Sequence, residues 1–163
     1  MAREFTVSSG GVSVAGATTL VFINPPAAPN FNIEFIRFWI GQSANATSAQ
    51  QRAQIESQAS VFPTLVSATP AKLKKADPNA SVIVGGTAGA AGTAGTNASA
   101  EGAGAKTPQI DDAFNVLNGY LHVPTPPETI IMPAGLASGL GLFFPAIPAT
   151  LTGWAFGCNF REV

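Results

Sequence analysis

Residues 151–162, LTGWAFGCNFRE, decide the fold class. Trp154, Phe156, Cys158 and Phe160 alternate with Ala155, Gly157 and Asn159. A period of two is that of a β-strand with one buried face. The large side chains are predicted to point inward and the small ones outward. Burying each large ring contributes roughly 1.5–3 kcal/mol. Cys158 shares the large-residue face and reads as a small buried hydrophobe.

The same period recurs along the chain. In REFTVS, Phe5 and Val7 share a face, and the β-branched run TTLVFIN from Thr18 stops at Pro25 and Pro26. In FNIEFIRFWIGQ, Ile33, Phe35 and Trp39 lie on one face and Ile36, Phe38 and Ile40 on the other, the pattern of a strand covered on both sides. Glu34 and Arg37 then need separate partners or open edges. Residues 47–62, TSAQQRAQIESQASVF, fit two periods. Ala, Gln and Glu favour helix, whereas Ala53, Ile55, Ala59 and Val61 alternate with Arg52, Gln54, Glu56, Gln58 and Ser60. The neighbouring strands tip the reading to strand, with those polar residues outside.

FNVLNGYLHVPTP reads as a hairpin turning at Asn118-Gly119. ETIIMP and GLGLFFPAIP supply two further strands. Roughly eight short strands between Gly, Pro and Asn turns predict an all-β chain, a β-sandwich or jelly roll. Residues 1–163 form one domain on this reading.

Hydrophobic residues make up 46% of the 163 positions and charged residues 10%, with net charge −1. An average soluble domain is about a quarter charged. A surface so poor in charge is weakly protected against association and suits a protein held in an assembly. Near-zero net charge lacks the electrostatic footprint of a nucleic-acid binder. Lys72, Lys74 and Lys75 form the only basic cluster, which reads as a solvated loop and is kept as a possible partner contact. A single cysteine, Cys158, excludes an internal disulfide framework. MAREFTVSSGG shows no signal-peptide pattern. The uncharged run between Glu128 and Arg161 is broken by Pro133, Pro145 and Pro148, so no membrane span is expected.

Chemistry-bearing motifs are weak. GAGAKT, 102–107, is similar to a phosphate loop, but Ala105 stands where the motif needs glycine, and Pro108 follows where it needs a helix. Asp111 and Asp112 are neighbours and would point to opposite faces of a strand. His122, in YLHVP, reads as a packed or interface residue. One His and one Cys fall short of a metal set. The expectation is a non-enzyme with no cofactor, metal or small-molecule substrate. Asn-x-Ser/Thr triplets begin at Asn45, Asn79 and Asn97 and read as chance occurrences.

Residues 85–105, GGTAGAAGTAGTNASAEGAGA, carry no aliphatic side chain larger than alanine. Ordering each residue costs about 1–2 kcal/mol of backbone entropy, and these side chains recover little of it. The stretch therefore needs a surface to lie on. It is read as an arm within a long loop region, 63–110, packing on the parent sheet or on a neighbouring subunit. Gly89, Gly92, Gly95 and Asn97 are the partner-interface residues this reading selects.

The order IGQ (from Ile40), SVFPTLVSATPAKLK, the Gly/Ala stretch, DAFNVLNGYLHVPTPPETIIMPAG and LTGWAFGCNFRE resembles small virion proteins of tailed bacteriophages. It is firmest in D-A-F-N-V-x-x-G-aromatic…P-T-P-x-E and the closing T-G-W-x-F…F-R-E. The resemblance implies a β-rich cement or decoration protein on the exterior of the phage head. Its partners would be the major capsid protein and copies of itself, as trimer or dimer, with no catalytic residues. A tail or receptor-binding module and a carbohydrate-binding β-sandwich are the rival readings.

Overall fold

The computed structural model describes residues 3–44 and 47–163. Asn45 and Ala46 of the first Asn-x-Thr triplet, and Met1 and Ala2, lie outside the described residues. The strands are β1 (Arg3–Val12), β2 (Thr18–Ile23), β3 (Ile33–Gln42), β4 (Gln50–Ala59), β5 (Thr64–Ser67), β6 (Ala71–Lys72), β7 (Val84–Gly85), β8 (Thr93–Ala100), β9 (Lys106–Asn115), β10 (Tyr120–His122), β11 (Ile131–Met132), β12 (Ser138–Phe144) and β13 (Trp154–Glu162). One sheet, A, runs β10-β3-β13-β1-β6, with β11 also on β3. The other, B, runs β5-β8-β2-β12-β4-β9, with β7 parallel to β8. The two sheets pack as a β-sandwich, and no helix is present among the described residues.

The terminal strand behaves as its alternation demands. β13 lies between β3 and β1, and Trp154, Phe156, Cys158 and Phe160 are fully buried. Trp154 meets Phe144 edge-on at 5.0 Å, and its Nε1 donates to the Thr150 carbonyl at 2.8 Å. Phe5 and Val7 close the same face from β1.

β3 departs from a strand with two apolar faces. Phe160 pairs with Phe35 but Asn159 pairs with Arg37, so Ile36 is an extra residue in a β-bulge. The bulge switches parity. Ile33 and Phe35 before it and Phe38 and Ile40 after it all enter one core, where the Phe35 and Phe38 rings stack at 5.3 Å. Ile36 and Trp39 are left half-buried on the outer face.

β4 is a strand, as its neighbours suggested. Of its polar face Arg52 and Ser60 are exposed, but the middle is covered. Glu56 and Gln58 are 3% and 1% exposed, because residues 101–106 fold across them, while Ala59 and Val61 are exposed.

The Asn118-Gly119 segment is not a hairpin. β9 pairs with β4 in sheet B, and β10 pairs with β3 in sheet A. The turn carries the chain from one sheet to the other. A two-residue type I′ hairpin needs positive φ at both turn residues, and here only Gly119, at +71°, has it. The Asn115 carbonyl accepts from Asn118 N, and its side-chain oxygen from Leu117 N, both at 3.0 Å. Phe114 and Tyr120 then face each other across the sheets at 5.6 Å.

The region 63–110 is not a long loop, and the Gly/Ala stretch is not a projecting arm. It contains β5 to β8 and the start of β9, and β8 is an interior strand between β5 and β2. Of the two surfaces considered, the parent sheet receives it. Phe22 explains the bare backbone. It is buried yet lies outside the central core cluster, against the outer side of sheet B. Its flanking partners are Gly95 on β8 and Gly141 on β12. A Cβ on Gly139 would overlap Phe22 Cζ, and one on Gly89 would stand 3.3 Å from Phe22 Cε1. The Phe62 ring completes this second apolar layer at 5.7 Å from Phe22.

Candidate docking face

The outer faces of the two sheets differ. The middle of sheet B is covered by its own chain, through the Phe22 layer and a buried charge cluster, while Val66 on β5 and Val84 on β7 stay exposed. Lys106 Nζ lies 2.8 Å from Glu56 Oε1, 2.7 Å from Glu101 Oε2 and 3.6 Å from the Phe143 ring centre. Glu101 in turn accepts from Thr19 N and Thr19 Oγ1, both at 2.6 Å. Burial raises the Glu56 pKa, and the Lys106 ammonium opposes that rise. The lysine of GAGAKT thus holds two carboxylates in place.

Sheet A has no such cover. Its register sets Leu121 beside Trp39, Trp39 beside Gly157, and Gly157 beside Ser8 on the outer side. Gly41 pairs with Ala155 in the next row, and a Cβ on Gly10 would reach Ala155 Cβ at 3.8 Å. The Trp39 ring lies down over Gly157, whose Cβ position is 2.6 Å from Trp39 Cζ2. This half of the face is flat and uncharged. Leu121, Val123 and Ile131, at the β10 and β11 edge, are 63%, 54% and 51% exposed.

Charges occupy the other half, and most are paired. Arg161 bonds Glu34 at 2.9 and 2.6 Å, and Lys74 pairs with Glu4 at 3.3 Å. Arg37 reaches the Asn159 amide oxygen at 2.8 and 3.0 Å once that amide is oriented to donate to Thr6 Oγ1. At the strand end, buried Glu162 accepts from Ser81 Oγ at 2.6 Å and Val82 N at 2.8 Å, and pairs with Arg3. The Arg3 guanidinium sits 4.3 Å over the Phe31 ring. Both line a cleft of about 650 Å³ with Lys74, Ala76, Asp77, Pro78 and Asn79.

The residues selected from the sequence are placed differently from the arm reading. Gly89 and Gly95 are buried within the chain, and Gly92 N donates to the Asn24 and Pro25 carbonyls at 3.2 and 3.0 Å. Asn97 is half-buried at φ 48° and lines a shallow groove with residues 13–18. Lys72 donates to the Asp77 carbonyl at 2.7 Å, Lys74 is paired as above, and Lys75 is exposed. On the outer face of sheet A the small residues Gly10, Gly41 and Ala155 lie uncovered beside Gly157, which the Trp39 ring covers. The alternation of β13 already carried that signal, with Ala155 and Gly157 on the side opposite the rings.

A second feature lies where the edges β9 and β10 face each other. Asp112 pairs with Ala53 and Ile110 with Ile55, so both are on the inward side of β9. Asp111 points away to Arg52, and that hydrogen bond holds its pKa below the usual carboxylate range. From β10, Tyr120 and His122 face inward opposite Ile40 and Phe38. The phenol pKa is pushed up to about 12 by burial and then by Asp112. Burial lowers the His122 pKa, against the pull of Glu128 and Asp112. Gln109, Ile110, His122, Glu128 and Ile130 line an open cleft of about 350 Å³. Cys158 is fully buried, which pushes its thiol pKa up.

Comparison of the chain with protein-family models, with curated proteins and with solved structures returns no match.

Proposed function

We propose that this chain is a structural virion protein of the capsid cement or decoration type, docking on the exterior of a phage head through the outer face of sheet A. One observation supports the reading: the middle of sheet B is covered by its own chain, whereas half of the outer face of sheet A is uncharged and edged by exposed Leu121, Val123 and Ile131. Contiguous exposed apolar surface of this kind marks interaction sites. A standard interface takes about 800 Å² from each partner, roughly a tenth of the 7422 Å² surface of this chain. The partner is the major capsid protein, and further copies of the chain, as dimer or trimer, complete the lattice contact. Repetition of one modest contact over many copies strengthens the shell. The role is non-enzymatic and uses no cofactor.

Quantitative mass spectrometry of density-purified particles tests this, together with rebinding of the chain to stripped heads. The chain should be present in simple ratio to the capsid protein, and Leu121→Asp with Val123→Asp, both at exposed positions, should abolish rebinding while the isolated protein melts as before. A dozen copies or fewer would overturn the cement reading in favour of a tail component. A second reading, carbohydrate binding, is favoured by half-exposed Phe31 in its cleft with Asp77 and Asn79. Saturable thermal stabilisation by a sugar, lost in Phe31→Ala, would establish it.

A further inference from the structure

Of the arginines, Arg3, Arg52 and Arg161 each pair with a carboxylate. Arg37 is the exception. Among the described residues it forms no ion pair, and it stands exposed on the outer face of sheet A. Three features set it there. The β-bulge at Ile36 aims it outward, because without the extra residue Arg37 would keep the parity of Ile33 and Phe35 and enter the core. Bulges recur where a side chain is re-aimed. Asn159, itself buried, then fixes the guanidinium. With its amide oriented to donate to Thr6 Oγ1 at 2.9 Å, its oxygen accepts from Arg37 Nε at 2.8 Å and Nη2 at 3.0 Å. Finally, the register that sets Leu121 beside Trp39 and His122 beside Phe38 brings exposed Val123 level with Arg37. The unpaired cation therefore stands on the border of the uncharged half, against its apolar edge.

The free donors define what such a cation takes. A guanidinium carries five N–H donors. Asn159 accepts from two of them, which leaves both on Nη1 and one on Nη2 for another acceptor. That end of the fork matches the two oxygens of a carboxylate. While the chain is free, water solvates the exposed cation. Once a partner covers Leu121 and Val123, the guanidinium loses that water and needs an anion in its place. A nucleic acid is disfavoured, because Glu34 and Glu4 already occupy Arg161 and Lys74 and leave no basic patch.

We infer that Arg37 determines the specificity of the sheet A docking face by receiving one Asp or Glu carboxylate of the capsid protein, set among apolar side chains that cover Leu121 and Val123. This contact rests on the docking proposed above and adds the chemistry of the partner's patch.

The test is rebinding to stripped heads of wild type, Arg37→Gln, Arg37→Lys and Arg37→Glu over a range of NaCl concentrations. Arg37→Gln should weaken rebinding by about tenfold or more. Arg37→Glu should weaken it further, by setting like charges together. Arg37→Lys should recover only part, because an ammonium lacks the fork. Salt should weaken wild type more steeply than Arg37→Gln. Thermal melts of the isolated variants control for folding. A second measurement does not depend on Arg37→Gln keeping its stability: on heads carrying the Arg37→Lys variant, a zero-length carbodiimide should couple position 37 to an Asp or Glu of the capsid protein, read by mass spectrometry. Rebinding of Arg37→Gln equal to wild type, or no coupling at position 37, would overturn the inference while the docking face stands, provided Leu121→Asp with Val123→Asp still abolishes rebinding. Rebinding unaffected by that pair as well would overturn both.

Discussion

Gly139→Ala should destabilise the protein only while Phe22 is present. The new Cβ would overlap Phe22 Cζ and stand 2.5 Å from Cε1. Phe22 is 1% exposed and is held on its far side by Phe62 and Gly89, so the ring has nowhere to retreat. Overpacking of this kind costs about 1–3 kcal/mol. Gly139 is not in the left-handed region, so alanine otherwise gains about 0.4–1 kcal/mol by restricting the unfolded chain. The next nearest atom is the Ile23 carbonyl oxygen at 3.0 Å, which must give by a few tenths of an ångström. In a Phe22→Leu background the clash disappears. Glycine to alanine should then be close to neutral, and the coupling between the two substitutions should be about 1–3 kcal/mol. Urea denaturation of wild type, both single variants and the double variant measures it, provided the m-values agree. Additivity within about 0.5 kcal/mol would refute the claim that glycine at 139 exists to admit the ring. It would also weaken the argument that the middle of sheet B is closed to partners.

Other outcomes follow from the same contacts. Trp154→Ala should cost about 3–5 kcal/mol by leaving a cavity against Phe144; an unchanged denaturant midpoint would remove this face from the core. Lys106→Met should cost about 3 kcal/mol, the low end for breaking a buried pair, because Lys106 keeps 20% exposure. That deficit should narrow on acidification, since Glu56, with a pKa already raised, takes a proton and no longer needs the ammonium; a deficit independent of pH would contradict it. Because burial lowers the His122 pKa, the unfolded chain protonates first, at about the ordinary 6.5, and stability should fall as pH drops below that value until the folded imidazole also titrates. His122→Asn should flatten this part of the profile, and an identical slope would place the titration elsewhere.

The facing edges of β9 and β10 show why part of the candidate chemistry was not legible in one dimension. Asp112, Tyr120, His122 and Glu128 all stand within one stretch of 17 residues in the sequence. Read as a hairpin, that stretch puts β9 and β10 side by side in one sheet, and no cleft exists between them. The turn instead crosses between sheets, and an inward carboxylate on one edge then faces a phenol and an imidazole on the other. The register signal was present, since Asp111 and Asp112 must diverge in a strand, but their destinations depend on which sheet each strand joins. Glu162 shows the same limit. Its place at the end of an apolar alternation is plain, but its partners, Arg3, Ser81 and Val82, come from distant segments.

Local alternation determined the all-β class and the inward set of β1 and β13, because side-chain direction in a strand follows from period two alone; the segment 50–59 fits two periods, and the neighbouring strands in the sequence tip it to strand. What the sequence could not decide was anything that depends on a neighbour. The bulge at Ile36 is forced by pairing with β13 and turns two apparent faces into one. The Gly/Ala stretch became an interior strand because Phe22 and Phe62 need bare backbone to pack against, and those rings and that backbone meet only across a sheet. The flat outer face of sheet A arises likewise, when Gly10, Gly41, Ala155 and Gly157, scattered over three strands, are brought into adjacent rows by hydrogen-bond register.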